Sequence, residues 1–345
     1  MDCGIFTSKT VLLFLSLVFC YFVAYPHQYR FIVDEPHRCR QETPFLVLMI
    51  PVAPHNRGAR DVIRNTWGKE TTVQGHLVSY YFLLGLSGAG DGSELLQESR
   101  RHHDLLQSDF MDSYNNLTIK TMVMFEWLNS HCPNTSYAMK VDTDMFLNVQ
   151  NLVSMLVTAP RHLYMTGLVS RGAYVVRDNS SKWYLPVSAF PESTYPPFAQ
   201  GPGYVFSMDL PIKILGASLQ IRAVYIEDVY VGLCMRHLGL TLTDPPHIGL
   251  FRISMPFFPG TSPGTVIGSR RAWSAPLSQQ SPGAKGLIPQ LKRFKKVSES
   301  NWRKREMSPG EEGVGGMVKN ETAQSLSLCN LLEMIRLRGA AGSGV

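Results

Sequence analysis

The chain has 345 residues, of which 44% are hydrophobic and 17% charged. That balance excludes both a disordered protein and a multi-span membrane protein. The formal net charge is +6, but the basic excess sits after residue 260, so the body carries no nucleic-acid footprint and no nucleic-acid partner is expected.

A short stub (1–10) precedes an uncharged apolar run over 11–25, VLLFLSLVFCYFVAY. This predicts an uncleaved signal anchor with a cytoplasmic stub and everything else translocated, a cleaved signal peptide being the alternative. Residues 26–43 read as a stem, 44–258 as a globular body and 259–345 as a flexible basic tail rich in Gly, Pro and Ser. Sequons at Asn116, Asn134, Asn179 and Asn320 agree with translocation. Cys39, Cys132, Cys234 and Cys329 are widely spaced and contain no CxxC, so zinc ribbons are unsupported. In a lumen they could form disulfides; in a cytosol they would be ordinary thiols.

Along the body, strand and helix patterns alternate. Phe45 to Ile50 is a continuous apolar run, as in a strand buried on both faces. Gly58 to Trp67 predicts a helix stopped by Gly68, and Leu77 to Leu84 a strand closed by Gly85. Leu117, Thr121, Met124, Phe125 and Leu128 form one helical stripe. Tyr137 to Val141 and Gly203 to Ser207 read as strands, and Val229 to Leu238 as a helix. This order predicts an α/β fold with a mostly parallel sheet that binds ligands at the carboxyl ends of its strands. In the tail, Leu328, Leu331, Leu332 and Ile335 suggest an isolated amphipathic helix.

Four constellations carry chemistry. Lys140-Val141-Asp142-Thr143-Asp144 ends a buried strand in two carboxylates. In extended chain they project to one side, where a hard divalent cation would relieve their repulsion and bind diphosphate oxygens. A solvated turn is the alternative. Ile226-Glu227-Asp228 opens an apolar helix, as a cap or as a general base. Arg60 and Arg64 share a helix face and could grip phosphate, or merely be solvated. Trp183, Tyr184, Gly201, Gly203 and Tyr204 combine aromatic rings with glycines in a pattern suited to sugar stacking, or to a packed turn.

Together these motifs resemble the β-1,3-glycosyltransferase family of Golgi type II enzymes, most closely its β-1,3-galactosyltransferase branch. The resemblance also runs through Pro44-Phe45-Leu46-Val47, Arg64-Asn65-Thr66-Trp67-Gly68, the Asp109–Thr121 segment, Ser181-Lys182-Trp183-Tyr184 and Glu227 to Cys234. It implies a GT-A-like fold, Mn2+ with Mg2+ as the alternative, and a UDP-sugar donor, UDP-galactose before UDP-N-acetylglucosamine. The acceptor would be a glycan on a glycoprotein or glycolipid at the Golgi membrane, and the reaction an inverting displacement. Asp142 and Asp144 would hold metal and nucleotide, with Arg60, Arg64 and Lys140 beside them. Asp228 would be the base, and Glu227 would belong to the sugar site. Two departures stand out. Ala199 replaces a usual cysteine, so one family disulfide is expected to be absent, and Cys234 is expected to lack its family partner. Beyond Pro246 the family's aromatic segment and late metal-binding histidine are replaced, so an inactive membrane-anchored homologue is the rival expectation.

Overall fold

A computed structural model describes residues 29–246, except 70 and 89–91, and the backbone of 267–269. The expected anchor, the Asn320 sequon, the tail helix and Cys329 lie outside the described residues. Among the described residues no helix is long and apolar enough to cross a membrane.

The strands are β1 (Phe31–Val33), β2 (Leu46–Pro51), β3 (Thr72–Val73), β4 (His76–Leu86), β5 (Leu105–Met111), β6 (Tyr137–Val141), β7 (Met145–Leu147), β8 (Met165–Ser170), β9 (Phe198–Ser207) and β10 (Ile267–Ser269). The main sheet is ordered β1-β5-β4-β2-β6-β9-β8, with β3 paired to β4. Its centre, β5-β4-β2-β6, is parallel, while β1, β9 and β8 join antiparallel at the flanks. The helices are α1 (Arg38–Glu42), α2 (Arg57–Arg64), α3 (Gly92–His102), α4 (Leu117–His131), α5 (Val149–Val157), α6 (Leu210–Ser218) and α7 (Glu227–His237).

The apolar run of β2 serves two cores at once. Leu46, Leu48 and Ile50 face a core with Val62 and Ile63 of α2 and Leu152 of α5. Val47 and Met49 face the opposite core with Phe125 of α4, Ile214 of α6 and Tyr230 of α7. A strand covered on both faces cannot alternate polar and apolar residues, which is why this one reads as continuous. The expected α/β sheet flanked by helices is therefore the fold observed.

Several boundaries differ. The helix at 58–67 ends at Arg64, and Trp67–Lys69 forms a separate 3-10 turn. Gly68 does not stop it. A Cβ there would lie 2.8 Å from the Ile63 carbonyl oxygen, so glycine permits a close backbone approach. Gly85 does not close β4 but lies within it, where a Cβ would come 2.7 Å from the Phe110 ring. α4 is buried far beyond its stripe, including Met122, Val123 and Trp127. The strand expected from Gly203 begins earlier, at Phe198, so Gly201 lies inside β9 rather than in a turn. The expected stem is part of the body from Tyr29 onward. β1 pairs with β5, and Cys39 of α1 is disulfide-bonded to Cys132 at the end of α4. Within the segment read as a tail, β10 pairs antiparallel with β7, Ser269 opposite Met145.

The Cys39–Cys132 bridge closes a sequence separation of 93 residues. Loop-closure entropy alone gives such a link about 4–5 kcal/mol. Reduction should therefore lower the urea midpoint markedly. An unchanged midpoint under dithiothreitol would contradict this weight.

Candidate functional site

A cavity of about 510 Å³ opens at the carboxyl ends of β2, β5 and β6. It lies where parallel strands leave room for ligands, and its size suits a small ligand. β2 delivers Pro51, Val52 and Ala53, β5 delivers Asp112 to Tyr114, and β6 delivers Lys140 and Asp142. The start of α7 adds Glu227 and Asp228, and Gly201 of β9 lies between the two groups.

Asp228 accepts from two backbone amides, Gly201 N–H to Oδ2 and Val229 N–H to Oδ1, both at 2.8 Å. Its oxygens are thus fixed by a neighbouring strand and by its own helix. Burial pushes its pKa up, and the two amide bonds only partly pull it back. Gly201 permits this approach. A Cβ on it would sit 3.1 Å from Glu227 Oε1 and 3.4 Å from Asp228 Oδ2. Gly232 does the same for α7, where a Cβ would meet the Pro197 carbonyl oxygen at 2.8 Å.

Lys140 is the hub. Its ammonium donates to Asp142 Oδ1 at 2.7 Å and to the Gly201 carbonyl, and pairs with Glu227 Oε1 at 3.0 Å. Burial would lower its pKa, but Asp142 and Glu227 outweigh that and raise it. Glu227 also accepts from the Tyr204 hydroxyl at 3.2 Å. Burial pushes Glu227 up to about 7 against the pull of Lys140, and the nearby Asp228 charge adds to the rise. Glu227 therefore lines the cavity while bound to Lys140 and Tyr204. Tyr204 is fully buried beneath it.

Other expected residues fall elsewhere. Arg60 and Arg64 do not reach the cavity. Arg60 grips Glu98 with two bonds of 2.8 and 2.7 Å, and Arg64 grips Asp104 with two of 2.8 and 2.7 Å. All four side chains are buried. Arg60 also donates to the carbonyls of Ala53 and Pro54, at 3.3 and 3.0 Å. It supports the cavity wall from behind rather than binding phosphate. Asp142 and Asp144 are not in extended chain: a Met145 N–H to Asp142 carbonyl bond of 3.2 Å closes a turn. Their shared side cannot be deduced from strand geometry. Asp142 lines the cavity and Asp144 is exposed beside it. Trp183 lines the cavity at 50% exposure; Tyr184 and Gly203 do not line it. Asn134 and Asn179 are exposed, whereas Asn116 is half-buried and its amide donates to the Met111 carbonyl at 2.8 Å. Cys234 is buried and free, and Trp67 is core.

The motif reading missed Lys120, Asp112, Tyr114 and Tyr225. Lys120 is buried and bonds the Val52 carbonyl (2.9 Å) and Asp112 (2.7 Å), tying the ends of β2 and β5 together. Burial lowers its pKa despite the Asp112 charge. In sequence it is the one lysine in the mostly apolar first half of α4, a mismatch that could have marked it.

For a metal, the donor chemistry fits a hard divalent cation. Asp142 lines the cavity with one oxygen already held by Lys140, and the exposed Asp144 follows it two residues on. Among the described residues no group of three or more His, Cys, Asp or Glu is gathered as a metal site.

An acid-bearing cavity at the ends of parallel strands, in a sheet covered by helices, defines an α/β ligand-binding protein. Residues 58–246 match the galactosyltransferase family model, and the chain belongs to that family. Beta-1,3-galactosyltransferase 2 of Homo sapiens is 43% identical over 231 residues, covering 65% of this chain and 55% of that protein. Its counterpart in Pongo abelii is 43% identical over 235 residues, 66% and 56%. Beta-1,3-galactosyltransferase 1 of Mus musculus is 42% identical over 219 residues, 62% and 67%. The chain thus spans little more than half the length of the first two relatives.

Proposed function

We propose that this chain transfers galactose from UDP-galactose to the 3-hydroxyl of an acceptor sugar on a glycoprotein or glycolipid glycan, forming a β-1,3 linkage. The observation that carries this reading is Asp228, a carboxylate of raised pKa held by two amides in a cavity that also contains Asp142. Family membership and the printed names of the relatives support galactose as the sugar.

Asp228 takes the proton of the acceptor hydroxyl through the oxygen edge left free by its amide bonds. The acceptor oxygen forms its bond to the anomeric carbon on the face opposite UDP, the bond to the diphosphate oxygen breaks, and UDP leaves with inverted configuration in the product. Lys140 keeps Asp142 and Gly201 in place, and Gly201 in turn orients Asp228. Trp183 offers a ring face to a pyranose. Asp142 and Asp144 would hold Mn2+, or Mg2+ in its place, which when bound neutralises charge on the leaving diphosphate. The Cys39–Cys132 disulfide supports an oxidising compartment, in keeping with a type II protein of the Golgi membrane whose body is lumenal. The exposed Asn134 and Asn179 suit the same compartment.

The test is a panel of UDP-sugars and glycan acceptors offered to the full-length membrane protein with Mn2+. Galactose should transfer, with a β-1,3 product by NMR. Chelator should abolish the rate and Mn2+ restore it, and Asp144→Asn should abolish turnover without unfolding the protein. Retained configuration, or a rate indifferent to chelator, overturns the mechanism. UDP binding without turnover across the panel favours an inactive homologue.

A further inference from the structure

Three lysines line the cavity, and their surroundings differ. Lys120 is paired with Asp112, and Lys140 with Asp142 and Glu227. Lys182 is exposed, and among the described residues no carboxylate pairs with it. Its ammonium instead lies over two aromatic faces, 4.7 Å from the Trp183 ring centroid and 5.5 Å from that of Tyr114.

Ring faces attract an ammonium weakly at exposed sites and leave its positive charge uncancelled. Three N–H donors stay available to a ligand. The position is also prepared in advance. The one proton of the Tyr225 hydroxyl is shared between the carbonyls of Tyr184 at 2.6 Å and Lys182 at 3.0 Å, so the backbone carrying the lysine is tied to the segment that leads into Glu227 and Asp228. Tyr114 packs edge-on to Tyr225 with centroids 6.5 Å apart. A cation fixed before binding loses less freedom when an anion arrives. The acids of the cavity are meanwhile bonded to lysines or amides, so they do not compete for it.

We infer that Lys182 is the anion-receiving cation of this cavity, binding an anionic oxygen group of the ligand. This rests on the function proposed above. Two sources offer that chemistry: the diphosphate of the donor nucleotide, and a carboxylate or sulfate on the acceptor glycan.

The experiment compares wild type, Lys182→Met and Lys182→Arg, all full-length. Methionine keeps the apolar stem over the rings without the charge; arginine keeps charge and ring contact. The first arm measures binding of UDP and of uridine by calorimetry. The second measures KM for a neutral acceptor and for its carboxylated or sulfated counterpart at low and high salt. The third measures thermal stabilisation by inorganic pyrophosphate and by glucuronate, which needs no turnover.

For a diphosphate ligand, Lys182→Met should weaken UDP at least about tenfold, leave uridine unchanged and lose the pyrophosphate shift. For an acidic acceptor, UDP binding should hold while the KM advantage of the charged acceptor and the glucuronate shift disappear. Arginine should restore whichever is lost. If the methionine variant matches wild type in all three arms, the inference is overturned. If wild type turns over no acceptor yet its anion-induced stabilisation vanishes in Lys182→Met, the galactosyl-transfer reading fails and the anion site stands.

Discussion

Asp228→Asn should reduce kcat by about two to four orders of magnitude, the range of a positioned general base, with UDP binding close to wild type. The asparagine is nearly the same shape, but its amide nitrogen cannot accept from both Gly201 N–H and Val229 N–H as the carboxylate does. One of those amides loses its acceptor, so a stability loss of about 1–3 kcal/mol should accompany the kinetic loss. Calorimetry with UDP, single-turnover rates and thermal melts separate the two effects. A variant that melts normally and keeps more than a tenth of the rate would remove Asp228 from the role of base.

The pH profile carries the same argument. Burial raises the pKa of Asp228, so the acid limb of kcat/KM should lie above the usual aspartate range. Glu227, raised from 4.5 to about 7, acts on stability. A group whose folded pKa exceeds its unfolded pKa lends stability that is full below the unfolded value and is lost as pH rises through the folded one. The Glu227 contribution should therefore fade between about pH 4.5 and 7, and Glu227→Gln should flatten that slope. Lys140 is also raised, but from 10.5, so its contribution is lost only in alkali.

The second large effect is expected at Glu98→Ala. Glu98 is buried, bonded to Arg60 by both oxygens, and lies 2.7 Å from Arg64 Nη1. Burial alone would raise its pKa, yet the two guanidiniums outweigh this and lower it. Removing the carboxylate leaves Arg60 buried without its acid, at a cost of about 3–5 kcal/mol. Asp104 and Asp61 still hold Arg64. Because Arg60 also holds the Ala53 and Pro54 carbonyls at the cavity wall, KM should rise with little change in kcat. The double change Arg60→Met with Glu98→Met should recover much of the stability, since paired apolar residues can replace a buried ion pair. An unfolding free energy within about 1 kcal/mol of wild type for Glu98→Ala would show that the pair behaves as a surface bridge.

These two sites show how far the residues alone could be read. Asp228 and Asp142 were visible because each interrupts a strongly patterned element, the first at a helix start and the second at the end of a buried strand. The continuous apolar run of β2 announced a strand covered on both sides, and the α/β class followed from it. Arg60 and Arg64 were misread for an equally physical reason. Their spacing puts them on one helix face, but spacing is blind to what that face meets. It meets Glu98 of α3 and the neighbouring Asp104, roughly forty residues away in sequence.

The pattern of residues by itself determined the α/β class, the strands β2, β4, β6 and β9, the helices α2, α4 and α7, the acids at the end of β6 and the start of α7, and the family. Periodicity and family motifs are local in sequence, so they survive without coordinates. Only the tertiary structure decided which charges are spent on one another. Lys140 bound to Glu227 and the Gly201 carbonyl, Lys120 bound to the Val52 carbonyl at the end of β2, and Cys39 joined to Cys132 all depend on partners that folding brings from far along the chain. The same holds for Gly85 and Gly201, which read as turn residues. Both lie inside strands, and the atoms a side chain there would strike belong to Phe110, Glu227 and Asp228. No local signal encodes a neighbour that folding alone supplies.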